Sequence, residues 1–196
     1  MNLFTDGFNE AIELLMTGNE SVYSAIYTTV TVSSWSLLIS LLIGLPLGFA
    51  LGYYNFFGKA VIRTMVDTML ALPTVVIGLI AYTMLSQAGP LGGYDLLFTQ
   101  RAIIIGQIVL GLPIIIALTA TQVEAVDKRL YVSLKGLGAT SAQILRATLV
   151  EARFGLMTAA MTAYGRIVTE IGISMMVGGN IKYHTRTVTT AIALET

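Results

Sequence analysis

From Ser21 to Gly58 the chain carries no Asp, Glu, Lys or Arg. That uncharged stretch exceeds the roughly 20 apolar residues that cross a bilayer, and it predicts a first membrane span near Thr28 to Tyr53. A second uncharged stretch, Thr68 to Tyr94, predicts a span near Val66 to Leu85. It is closed by the turn-rich run Gly89-Pro90-Leu91-Gly92-Gly93. A third span is expected near Ala102 to Thr121 and a fourth near Phe154 to Val177, the last holding Arg166 and Glu170. Four such segments make an all-α, polytopic transmembrane helix bundle.

Composition agrees with that class. Hydrophobic residues make up 55% of the 196 residues and charged residues only 11%, where a soluble domain carries about 25%. Net charge is zero, so no basic field recruits nucleic acid. The absence of cysteine excludes disulfides, thiolate metal sites and cysteine nucleophiles. The single His184 has no second His to build a metal site with.

Sidedness follows from the basic residues. Lys59 and Arg63 follow the first span, and Lys128, Arg129, Lys135, Arg146 and Arg153 lie between the third and fourth. These two loops hold seven of the eleven Lys and Arg residues and are expected in the cytoplasm. The N-terminus is then outside. Residues Met1 to Tyr27 contain no Lys or Arg but include Asp6, Glu10, Glu13 and Glu20, which argues against a cleaved signal peptide. Residues 1–27 are read as an external or interfacial segment, in which Asp6 caps a short helix bearing Phe8, Ala11, Ile12 and Leu15 on one face.

Two further patterns lie within the spans. Gly44, Gly48 and Gly52 recur every fourth residue, a stripe that lets another helix backbone approach closely. Pro46, Pro73 and Pro113 each remove a helical hydrogen bond in mid-membrane. Kinks around a pathway and ordinary packing kinks both fit.

The stretch between the third and fourth spans is polar. Glu124 to Leu137 reads as a helix extension ended by Gly138, a residue suited to the left-handed C-cap. Thr140 and Gln143 have capping-box spacing, so a second short helix is expected there, with Ile144, Leu145 and Leu149 as its apolar face. The pair forms either a bent amphipathic knob, of the kind a transporter needs to grip a separate motor, or a plain surface loop. No Gly-x4-Gly-Lys-Ser/Thr phosphate loop occurs in the chain, so any ATP would be handled by a partner.

At these residues the chain resembles the permease subunits of bacterial and archaeal ABC importers. Their cytoplasmic loop has the form Glu-Ala-Ala, three residues, Gly, then a helix. Gly138 within Leu137-Gly138-Ala139-Thr140 matches the Gly, whereas Val132-Ser133-Leu134 replaces the Glu-Ala-Ala, and the Pro usual near position 150 is missing. Downstream, the runs Glu151 to Leu156, Gly165-Arg166, Glu170-Ile171-Gly172, Met175 to Ile181 and Thr185 to Glu195 look like the tungstate-type permeases, whose relatives carry molybdate and sulfate.

The resemblance implies a permease domain over 28–196 with an ATPase-coupling loop at 122–153, in which Lys135, Gly138, Ala139, Thr140, Ile144 and Leu145 meet the ATPase. It implies a non-catalytic, multi-pass subunit in the cell membrane among lipid, assembled as a homodimer with two ATPase subunits and an external substrate-binding protein, and needing no cofactor. A final membrane helix is expected past Glu195, beyond the end of this sequence, so the chain is expected to be a fragment.

Arg166 and Glu170 are four residues apart and, on one helix, share a face. Charge in mid-bilayer costs on the order of 3 kcal/mol, so both should face protein or water. They would line the translocation path for an anion, or lock the fourth span to a neighbour; the residues leave both open. Lys182, His184 and Arg186 either attract an anion or a binding protein, or form a solvated loop. A passive channel or structural membrane subunit is the alternative of a different class. A membrane enzyme finds no acid, base and nucleophile beyond that pair.

Overall fold

The computed structural model describes residues 18–195, and every regular element among them is helical. The helices are α1 (Glu20–Tyr53), α2 (Lys59–Ala71), α3 (Thr74–Leu85), α4 (Gln100–Glu124), α5 (Lys128–Gly136), α6 (Ser141–Val168), α7 (Gly172–Gly178) and α8 (Val188–Glu195), with a single 3-10 turn at Gly92–Tyr94. The helix expected around Asp6 lies outside the described residues.

Two helices, α1 and α4, are long and apolar enough to cross a membrane, and α2 with α3 make a third if that broken pair is one span. Pro46 and Pro113 sit inside α1 and α4 without ending them. Pro73 does end a helix. Leu72 before it is extended (φ −66°, ψ 133°), the conformation a following proline favours, so the span expected from Val66 to Leu85 is two helices. The expected fourth span is also corrected. α6 begins at Ser141, runs 28 residues and stops at Val168, and its first half carries Arg146, Glu151 and Arg153, too polar for a membrane window.

The chain divides into two compact units. The first comprises residues 18–35, 73–107 and 168–195 of the described chain. There Ile103, Ile173 and Val177 are fully buried. α3 packs against α7 at Gly78, where a Cβ would lie 2.9 Å from Met176 Sδ. A methyl at Gly106 of α4 would overlap Ile173.

The second unit comprises residues 36–72 and 108–167. Its centre is the expected glycine stripe. A Cβ at Gly44 would lie 2.8 Å from Ile115 Cγ2, one at Gly48 2.7 Å from the Ile116 carbonyl oxygen, and one at Gly52 2.7 Å from the Ala120 carbonyl oxygen. Real Cβ atoms do not come so near, so three successive turns of α1 lie against α4, at Gly48 and Gly52 directly against its backbone, only because they carry hydrogen. Ile144, Ala152, Ala159, Ala163 and Ile167 form the buried face of α6.

Candidate functional site

The polar element between α4 and α6 belongs wholly to the second unit. α4 ends at Glu124 rather than running on, and Asp127 starts α5 by accepting a hydrogen bond from the Arg129 backbone N–H (2.8 Å). The segment expected as a helix extension is therefore a separate helix and not a continuation of the third span.

α5 ends as its glycine implied. Gly138 has φ +80°. Its N–H donates to the Lys135 carbonyl (3.1 Å), and the Ala139 N–H donates to the Leu134 carbonyl (3.0 Å), the bond pair of a Schellman turn. The next residue opens α6. Thr140 N–H donates to Gln143 Oε1 (2.8 Å) and Gln143 N–H to Thr140 Oγ1 (3.4 Å), a reciprocal capping box. Two helices thus meet across a turn held at both ends by specific bonds. The second is not short, because it continues into the rest of α6.

Exposure sorts the expected docking residues. Lys135, Gly138 and Thr140 are exposed, Ala139 and Leu145 half-buried, and Ile144 buried. Ile144 therefore anchors α6 in its own unit. Lys135 lies along Tyr131, its Nζ 5.5 Å from the ring centroid and 3.4 Å from the hydroxyl. Leu137, 83% exposed, and Val132, 67% exposed, give the knob an apolar surface. Sequence reasoning did not single these two out, although an apolar residue between two glycines at a helix C-cap was a visible signal.

A charged cluster beside this element was also missed. Lys59 Nζ lies 3.0 Å from Glu124 Oε1, and the Arg63 guanidinium reaches Glu124 Oε2 (3.7 Å), Asp67 Oδ2 (3.2 Å) and Thr121 Oγ1 (2.7 Å). An open cavity of about 880 Å³ adjoins it, lined in part by Gly52, Tyr53, Lys59, Glu124, Asp127 and Leu130.

Arg166 and Glu170 do not share a helix. Arg166 is exposed in the last turn of α6, whereas Glu170 is buried in the link to α7. Its Oε1 accepts the Ile173 N–H (3.2 Å), and its carbonyl accepts from Ser174 Oγ and Thr189 Oγ1 (both 3.3 Å). An anionic side chain at a helix start suits the helix dipole.

The loop with Lys182, His184 and Arg186 is pinned through its backbone. Gln100 Nε2 donates to the His184 carbonyl (2.9 Å), and the buried Thr185 hydroxyl donates to the Gly178 carbonyl (2.5 Å) and accepts from Ile181 N–H (3.0 Å). Lys182 and His184 are exposed.

Comparison with known proteins sets this geometry in a family. The chain is 50% identical to the tungstate uptake system permease protein TupB of Campylobacter jejuni over 97% of its own length and 80% of the relative's. It is 35% identical to the TupB of Peptoclostridium acidaminophilum over 99% of this chain and 85% of that one. The molybdenum transport system permease protein ModB of Escherichia coli K12 is more distant, at 26% over 87% of this chain and 78% of its own. Residues 44–194, which include the glycine stripe and the α5–α6 turn, match the model of one family. The chain belongs to the binding-protein-dependent transport system inner membrane component family.

Proposed function

We propose that this chain is the non-catalytic permease subunit of an ATP-driven importer of tetrahedral oxyanions, with tungstate as its cargo. The observation that carries the reading is the 50% identity to a tungstate uptake permease over 97% of this chain. The Schellman turn and capping box around Gly138 support it, because they brace an exposed knob that a motor protein can push.

On this reading the knob faces the cytoplasm. An ATPase subunit grips Lys135, Gly138, Ala139 and Thr140 with the apolar Leu137 between them, while Ile144 and Leu145 root the knob in α6. Two copies of the permease assemble in the lipid bilayer with two ATPases, and an external binding protein delivers the anion. Arg166, exposed near the end of α6, offsets anion charge along the path, and Glu170 holds the start of α7. The experiment is uptake of tungstate, molybdate and sulfate into liposomes holding the permease with its ATPase and binding protein. Preference for tungstate is expected; equal uptake of all three would refute the assignment of cargo.

A further inference from the structure

Glu124 is an anion on the last turn of α4, where the exposed carbonyl end of a helix disfavours negative charge. Its position is explained by α2. Lys59 engages one carboxylate oxygen at 3.0 Å and Arg63 approaches the other at 3.7 Å. The same Lys59 ammonium donates to the Gly52 carbonyl on α1 (3.3 Å), and the same Arg63 donates to Thr121 Oγ1 on α4 (2.7 Å). One carboxylate therefore ties together the end of α1, the start of α2 and the end of α4.

Its place in the chain gives the tie a direction. Only Ala125 and Val126 separate Glu124 from Asp127, whose side chain caps α5. The open cavity of about 880 Å³ is lined by Glu124, Asp127 and Leu130 together with Gly52 and Lys59. The α4–α5 joint is thus held by charge at Glu124 and left unfilled around it, the arrangement of a hinge. An isolated exposed ion pair contributes little to stability. A four-charge network converging on a joint is better suited to keeping two elements in register while they move.

We infer that Lys59, Arg63 and Glu124 form a clamp that passes displacement of the coupling helix α5 to α2 and the end of α1. They are positioning residues for energy coupling. The inference rests on the importer reading. In the absence of the clamp, α5 still moves with the ATPase but α1 and α2 no longer follow, so ATP is hydrolysed with less anion moved.

The test is the number of tungstate ions imported per ATP hydrolysed, in liposomes carrying the complete complex. Glu124→Gln is expected to lower that ratio at least fivefold. Glu124→Asp, which keeps the negative charge facing Lys59 and Arg63 and leaves the Lys59 bond to the Gly52 carbonyl untouched, should hold the ratio within twofold of wild type. A Glu124→Gln complex that assembles and keeps the wild-type ratio overturns the clamp, as does an assembled Glu124→Asp complex whose ratio falls as far as that of Glu124→Gln. Failure of both variants to assemble also overturns it, because the network is then structural. Absence of ATP-driven uptake by the unsubstituted complex overturns the importer reading and the clamp with it.

Discussion

Replacing Gly48 with alanine tests the packing of the second unit, because two opposing effects of known size meet at one atom. In an open helix, Gly→Ala gains about 1 kcal/mol of helix propensity. At Gly48 the new methyl would sit 2.7 Å from the Ile116 carbonyl oxygen and 2.7 Å from Thr119 Cβ. Overpacking of this kind costs about 1–3 kcal/mol, and the upper end applies because the obstructing atoms include helix backbone. The net is a loss of about 2 kcal/mol, or a melting temperature lower by about 4–8 °C for a chain of this length. The control is Gly165→Ala on α6, where a Cβ would meet nothing within 4 Å; the propensity gain stands alone there, and melting should rise by about 2–4 °C. Thermal unfolding of the purified protein in detergent, followed by fluorescence of Trp35, the one tryptophan, gives both values. If the two substitutions shift melting in the same direction by similar amounts, the close approach of α1 to α4 at Gly48 is wrong.

Three further outcomes are expected. Gly138→Trp removes the residue that tolerates φ +80°, at about 1–2 kcal/mol of backbone strain, and enlarges the knob; ATP-driven uptake should be lost, whereas a passive channel would be unaffected. Thr185→Val strands the Gly178 carbonyl and the Ile181 N–H and should destabilise the chain by about 2 kcal/mol in thermal unfolding, with Thr185→Ser retaining most of the stability. His184→Ala should leave uptake rates at wild-type level, because the bond from Gln100 is to the His184 backbone carbonyl and survives the substitution.

The parts of the fold legible in the sequence are those set by short-range rules. Absence of charge identified α1 and the apolar run of α4, four-residue spacing identified the glycine stripe, and Gly138 with Thr140 and Gln143 located the turn between α5 and α6 to the residue. What was missed depends on partners distant in sequence or on competition between local signals. Pro46, Pro73 and Pro113 look alike in the sequence, yet only Pro73 separates two helices. It follows α2, whose polar residues Lys59, Arg63 and Asp67 recur every fourth position, Lys59 and Arg63 reaching Glu124 and Thr121 of α4 and Asp67 pairing with Arg63. No spacing rule links residues 59 and 124. The link at Glu170 could have been found, since an acidic residue just ahead of Gly172 is a helix-start signal; the four-residue spacing to Arg166 concealed it by suggesting a continuous helix.

The most direct test of the central claim is the ATP dependence of tungstate uptake by proteoliposomes containing this permease, its ATPase and its binding protein. Uptake that requires all three components and ATP is the result the importer account predicts. Tungstate flux through the permease alone, without ATP and down its gradient, would contradict it and identify a passive channel.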